Sequence, residues 1–483
     1  MDGDIRFSHG GSAEMANSVY EKIRDIVGEK NVSENFFELV NNTIDVFPYE
    51  LDLEKDPLPY VVVKPADEKE ISEIFKLANQ EDIPVYPRGS GTSFTGSARA
   101  PCRGIVLSTS RINFIEIDPD QGYFECGPGA VVNTVDLALA KEGYFLPVYP
   151  GSKLVATMGG MMAGNTSGHI IDACVGKPAD YVLGLEVVLP TGEILETGSR
   201  GLRKPAGTDL TKFFVGNDGL TGIVTRIRMR LVPTRERAFG IAYFRDPESV
   251  ARAVVRMYKE KAPAPLFMEF MDRATTTIGF EHAGLPTPPG CSIFFASFGL
   301  TREAASENNR RLLEVMKKED PVRAEEIADL EQWMKIWTAR EVIISSLMQK
   351  HDGHFSGPEI VATLATLVEC IRELEKYGEK HPIFQGLPYY LLGHIGALTF
   401  HPTLIVPREW DNERKRRLVD AEFEVEKEMN LRFGTCGGEW LQFGKRTRFF
   451  RDRYGERAYD LVRQIKAVFD PKDILSRGIL DGL

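Results

Sequence analysis

The alternation of apolar and polar positions changes character several times along the 483 residues. Val19, Ile23, Ile26 and Val27, then Phe36, Phe37, Leu39 and Val40, recur at helical spacing and predict a helical lead-in over 1–44. From residue 60 the period shortens. YVVVKP is a β-branched run closed by proline, as strand ends are. DEKEISEIFKLANQEDI returns to helical spacing behind an acidic first turn. Short strands are predicted in GIVLSTS, FIEIDP, YFECGPGA, YVLGLEVVLPTGEIL and GIVTRIRMRLVP. The texture is α+β, and no GxGxxG follows a first strand, so the Rossmann signature is missing. The stretch 231–238 reads as a domain boundary. Beyond it the strands FGIAYF and CSIFFASFGL alternate with amphipathic helices, and from 411 the chain reads as mainly helical to LVRQIKAVFDPKDILSRGIL.

Three stretches between the early strands are dense in small residues: PRGSGTSFTGSA (87–98), PGSKLVATMGGMMAGNTSGH (150–169) and FVGNDGLTGIVT (214–225). Glycine permits backbone conformations closed to other residues, so successive N–H groups can line a nest for anionic oxygens. One such loop is weak evidence. Three separated by strands point to one large ligand enclosed on several sides.

Composition narrows the field. Hydrophobic content of 43% and charged content of 27% are those of a soluble globular protein. A net charge of −11 argues against nucleic acid as a partner. No run approaches the roughly 18 apolar residues that span a bilayer. The N-terminus, MDGDIRFSHGGSAEM, is acidic and polar, unlike a signal peptide. A cytoplasmic location follows, with membrane association only through a partner. The six cysteines are scattered without a C-x-x-C pair, which excludes an ordinary iron–sulfur cluster or zinc ribbon within the chain. Redox chemistry would then need a bound organic cofactor or another subunit.

GHIGALTFH (393–401) holds two of the eight histidines, His394 and His401. Seven residues apart, they would face opposite ways in a regular strand. They converge only if Gly393 and Gly396 let the backbone bend. Either they are polar residues satisfied near a core, or they grip something.

The order of KPADEKEIS, PRGSGTS, PGS…GGMMAGNTSG, DYVLGLEVVLPTGEIL, GTDLTKFFVGNDGLTGIVT and FDPKDILSRG resembles the vanillyl-alcohol oxidase and p-cresol methylhydroxylase (PCMH) flavoprotein superfamily. The chain is most similar to the branch of D-lactate dehydrogenase, the glycolate oxidase large subunit and D-2-hydroxyglutarate dehydrogenase. The resemblance implies an α+β chain with a two-part, PCMH-type FAD-binding domain at 45–237. An α/β cap (substrate) domain at 238–410 follows, and a C-terminal helical segment at 411–483 returns to the FAD domain. By that resemblance Pro87, Arg88, Gly89, Ser90, Gly91, Thr92 and Ser93 cradle the FAD pyrophosphate. Pro150, Gly151, Ser152, Thr157, Gly160 and Asn165 lie along the diphosphate and isoalloxazine. Asp218, Gly222, Ile223 and Val224 belong to the loop closing over the adenine side. Asp218 stands where relatives usually have glutamate. The FAD is expected to be non-covalent, because 87–98 lacks the histidine that some members use; His169 is the residue that challenges this.

In the hydroxyacid branch a divalent metal sits before the flavin. Its two histidines and one glutamate fall here on His394, His401 and Glu439, a set suited to zinc, manganese or iron. The metal lowers the pKa of the substrate hydroxyl while hydride passes to flavin N5. The substrate-carboxylate arginine falls on Arg340, which could instead pair with Glu341 or Glu331. Three departures act in one direction. Trp440 stands where the base is usually histidine, Ile344 replaces a threonine and Phe355 a lysine. Together they suggest a bulkier or more aromatic hydroxyacid, with His351 and His354 as candidates for the displaced base. The leading expectation is an FAD-dependent dehydrogenase acting on CH–OH groups. Its electrons would go to an electron-transfer flavoprotein or an iron–sulfur subunit, and a homodimer is a compatible assembly. The alternatives are a phenol- or alkylphenol-type oxidoreductase, for which metal is unnecessary, and a non-catalytic FAD-binding subunit.

Overall fold

Val61–Val63 is buried on both faces, Val61 and Val63 in one apolar cluster and Val62 in another, and it runs parallel to Ile105–Ser108, which in turn pairs in parallel with Val85–Arg88. These strands belong to a computed structural model that describes residues 10–46, 56–166, 168, 176–202, 207–435, 443 and 446–482. The sheet has a fourth member, Val32–Ser33, antiparallel to Val61–Val63. The lead-in is therefore not purely helical. Between helices Gly10–Val27 and Phe36–Thr43 the β-branched Val32 is drawn into the sheet opposite Val63. Helix Glu68–Glu81 forms where its period indicates. The Asp67 side chain accepts the N–H groups of Lys69 and Glu70, and the helix ends at Asp82 in the left-handed region (φ 54°). Its apolar face, Ile71, Ile74, Phe75 and Ala78, is fully buried against the sheet.

A second sheet runs Ile115–Asp118, Tyr123–Cys126, Ile223–Arg230, Val182–Val188, Ile194–Gly198, all antiparallel. Helices Val132–Lys141 and Met158–Gly164 contribute to the core beside it. The third sheet begins after Arg230 and holds nine strands among the described residues. Its main path is Arg323–Ile327, Glu236–Phe244, Cys291–Gly299, Phe267–Met271, Tyr389–Gly393, Thr399–Pro407, Ile360–Ala362, Gly434–Thr435. Gly353–Ser356 also pairs with Thr399–Pro407. The edge strand reads RAEEI, and its charges protect the open edge from strand addition. Separate apolar clusters include alternate residues of the central strands, among them Phe295 in one and Phe294 in the other.

The chain end comes back to the first sheet. The Val85 N–H donates to the Ile474 carbonyl (2.8 Å) and the Ser476 N–H to the Val85 carbonyl (2.8 Å), so Leu475 lies parallel to Val85. Buried Asp470 holds this tail, accepting the N–H groups of Ile474 and Leu475 and the Lys466 ammonium. The tail thus braces the strand that delivers the first glycine loop. Among the described residues no helix is long and apolar enough to cross a membrane.

Candidate active site

The three glycine-rich loops come together. A Cβ on Gly89 would overlap Thr157 Oγ1 of the second loop, and one on Gly219 would lie 3.5 Å from Pro87 Cγ. The third loop is tied to the second by Gly216 N–H to the Met162 carbonyl (2.9 Å) and Asp218 N–H to the Ala163 carbonyl (3.0 Å). From Gly89 to Ser93 no backbone N–H donates to another backbone group among the described residues. Amides without backbone acceptors are the kind of donor that a pyrophosphate requires.

Several loop residues have structural duties of their own. The Arg88 guanidinium, buried, donates to the carbonyls of Ala98 (2.9 Å), Asn41 (3.1 Å) and Ile44 (2.5 Å). It locks the loop instead of pointing into the cradle. Ser93, Thr95 and Ser97 close a ring of hydroxyls at 2.9, 3.1 and 3.2 Å. Thr157 caps its helix by accepting the Gly160 N–H, and Asn165 ends it at φ 47° while accepting the Ala179 N–H. Ser152 turns the second loop, its carbonyl accepting from Val155 (3.0 Å) and Ala156 (2.9 Å). Gly222 lets the third loop cross Val187, whose Cγ1 would lie 2.5 Å from a Cβ there; Ile223 and Val224 then open strand Ile223–Arg230. Asp218 turns its carboxylate to the Phe443 N–H (2.7 Å).

The cap sheet contributes a buried charged group that the sequence did not announce. Glu269, wholly buried on strand Phe267–Met271, accepts from Arg340 Nε through Oε2 (2.8 Å) and from His394 Nδ1 through Oε1 (2.7 Å). The partner of Arg340 is therefore neither Glu341 nor Glu331. Those two lie on its own helix, Leu330–Glu341, whereas Glu269 is brought under the guanidinium by the sheet. The register Phe270–Gly393 sets His394 beside Glu269. The signal available in the sequence was FMEFM, a single carboxylate inside an apolar strand, which demands a buried partner.

His394 and His401 do converge, though not through a bend at Gly393 and Gly396 within one strand. The chain folds into a hairpin whose turn, Ile395–Ala397, ends on Leu398 in the left-handed region (φ 60°). His401 pairs opposite Leu392, and the two rings meet edge to face with centroids 5.2 Å apart. Gly393 is needed for close approach: a Cβ there would overlap the Thr399 carbonyl. Among the described residues no group of three His, Cys, Asp or Glu side chains is placed to hold an ion. Glu439, Trp440 and His169 lie outside the described residues.

His351 ends helix Ile343–His351, and its Nε2 lies 2.6 Å from the Tyr390 hydroxyl. Phe355 meets Phe94 of the first loop edge to face, with centroids 5.4 Å apart. Alternation along Gly353–Ser356 then turns His354 away from that loop. Ile344 packs with the apolar cluster of Trp333 and Trp337. Tyr149, immediately before Pro150, packs with the same cluster. Burial pushes its phenol up to about 12, and the Asp136, Glu341 and Glu269 carboxylates act in the same direction while Arg237 opposes them. No sequence pattern marked this tyrosine.

Three small-residue loops that meet, beside a sheet with a buried arginine–glutamate–histidine group, have the layout of a two-part ligand-binding protein. Residues 59–198 match the FAD binding domain family, and 233–480 match the family described as FAD linked oxidases, C-terminal domain. The chain belongs to the FAD-linked oxidases, and FAD is its cofactor. It is 28% identical over 472 residues to glycolate oxidase subunit GlcD of Bacillus subtilis, covering 96% of this chain and 97% of that one. It is also 28% identical over 461 residues to a D-lactate dehydrogenase of Archaeoglobus fulgidus, covering 91% and 97%. p-Cresol methylhydroxylase superposes with a TM-score of 0.78 at 17% identity, over 96% of each chain. 4-Ethylphenol oxidase from Gulosibacter chungangensis gives 0.76 at 16%, over 97% of each. The last two establish the PCMH-type fold alone.

Proposed function

We propose that the chain oxidises a 2-hydroxyacid-like CH–OH substrate, of the D-lactate or glycolate type or bulkier, to the 2-keto product. An electron-transfer flavoprotein or iron–sulfur subunit would take the electrons. The observation that carries this reading is the Arg340–Glu269–His394 group. Glu269 occupies Arg340 Nε, while the terminal Nη groups have no partner among the described residues. They are the fork that grips a carboxylate in bidentate fashion. The same Glu269 receives the His394 Nδ1 proton, which leaves the Nε2 lone pair as acceptor or ligand. Bound FAD, held without a covalent bond since 87–98 has no histidine, supplies the two-electron acceptor. His394, His401 and Glu439 would hold a divalent metal that polarises the substrate hydroxyl, and a carboxylate oriented on His394 is the support such ligands need. The two full-length relatives named for glycolate and D-lactate chemistry support the substrate class.

A second reading has its own observation. The Phe94–Phe355 pair joins the first loop to the cap with aromatic surface, which suits a phenol or alkylphenol ring. Anaerobic mixing of the holoenzyme with D-lactate, glycolate, D-mandelate and 4-ethylphenol, together with metal analysis, separates the two. Flavin bleaching by the hydroxyacids with a bound divalent metal is expected. Bleaching by 4-ethylphenol alone in metal-free protein favours the second reading, and silence across the panel leaves only an FAD-binding subunit.

The state of His351 is also testable. Burial and, secondarily, the Lys350 charge hold its pKa below the usual 6.5. A histidine with a depressed folded pKa binds fewer protons folded than unfolded, so its contribution is present at higher pH and is lost as pH falls below about 6.5. The wild-type Tm should therefore fall more steeply below that pH than the Tm of H351Q. Parallel curves for the two proteins would contradict this environment for the ring.

A further inference from the structure

We propose that Asp218 is a positioning residue that couples the third cofactor loop to Phe443, and is not itself a contact to the cofactor. Its backbone N–H is spent on the Ala163 carbonyl (3.0 Å), so the residue is fixed to the second loop. It sits at φ 59°, a conformation that Asp and Asn tolerate better than most residues and that aims its carboxylate sideways. That carboxylate, only 8% exposed, accepts the Phe443 N–H at 2.7 Å. The contact is not isolated. Leu220, next along the third loop but one, shares an apolar cluster with Phe443, Tyr459, Ile479 and Leu480. Three residues on, Arg446 is buried and paired with Glu426, with Glu359 at 4.0 Å. Phe443 and Arg446 are thus pinned from two sides, by the cofactor loop and by helix Asn412–Phe433.

The consequence follows from the loop's place. Whatever stiffens the third loop stiffens the seat of Phe443, because one side chain belongs to both. If those loops take up FAD, as the proposed function has it, FAD binding and the seating of Phe443 are linked, and linkage is reciprocal. Phe443 lies four residues after Glu439 in the sequence.

The test uses hydrogen exchange at the Phe443 amide in the full chain, stripped of FAD and then reloaded. In wild type, FAD should slow that exchange by at least about tenfold. Asp218→Asn keeps an acceptor oxygen and the left-handed conformation, and should behave as wild type. Asp218→Gly removes the acceptor without backbone strain; it should still bind stoichiometric FAD, yet reloading should leave the Phe443 exchange unchanged. Loss of FAD binding in either variant would overturn the proposal, by making Asp218 a cofactor contact. Unaltered FAD-dependent slowing in D218G would also overturn it. Should D218G not fold, D218N decides alone: wild-type slowing supports the acceptor role, and loss of slowing refutes it. E439Q keeps the two ideas apart, since full flavin reduction in that variant sinks the reading of Glu439 and leaves the exchange result untouched.

Discussion

Replacing Glu269 by alanine is expected to cost about 3–5 kcal/mol of stability and to abolish substrate-driven flavin reduction. The first figure is typical of breaking a buried ion pair from one side, which strands the opposite charge out of water. Here the stranded group is Arg340, itself only 6% exposed. Glu269→Gln keeps the shape and one acceptor but removes the charge, so it separates the two roles. It should fold with a smaller loss, yet it weakens the hold on Arg340 Nε and no longer specifies the His394 tautomer. Flavin reduction should then fall by about 100-fold, near 2.7 kcal/mol of barrier. The double variant Glu269→Leu/Arg340→Met should recover most of the stability without recovering activity, since buried ion pairs often yield to apolar isosteres without net cost. Denaturant midpoints give the first quantity and anaerobic stopped-flow the second. An E269A protein as stable and as fast as wild type would show that the group neither supports the fold nor serves the site.

Gly91→Ala is expected to empty the enzyme of flavin. Gly91 stands at φ 70°, where an L side chain pays about 1–2 kcal/mol. An added Cβ would also lie 2.6 Å from Arg88 Cζ. That guanidinium has no free direction, because it bonds the carbonyls of Asn41, Ile44 and Ala98. Hydrogen bonds of a charged group are worth roughly 1.5–3 kcal/mol each, so displacing it unpins the whole first loop. Gly91→Asn tolerates the backbone angle but still carries the Cβ, and it should fail as badly. The flavin-to-protein absorbance ratio after gel filtration measures both. Normal flavin content in G91N with loss in G91A would mean that backbone strain, not the Arg88 contact, governs the loop.

Much of this site could be read along the chain because it is local. The loops around Gly89, Thr157 and Gly219 stand out by their density of small residues, and the structure brings them together. Helix Glu68–Glu81 was legible from its cap and period for the same reason. Asp218 shows the limit of such reading. Its loop was legible, but its side chain faces Phe443, and no local pattern states which way a carboxylate turns.

What the sequence by itself determined is the set of parts: an α+β chain, three small-residue loops, and two histidines in an apolar setting, with FAD as the ligand that its family resemblance implied. Only the tertiary structure decided which parts meet. His394 and His401 face each other because a hairpin turns at Leu398, which strand periodicity cannot reveal. Arg340 takes Glu269 as its partner, 71 residues distant, because sheet register places a buried strand beneath its helix. Short-range chemistry follows from neighbours in sequence. The pairing of buried charges follows from strand order and register, which depend on how the whole core packs.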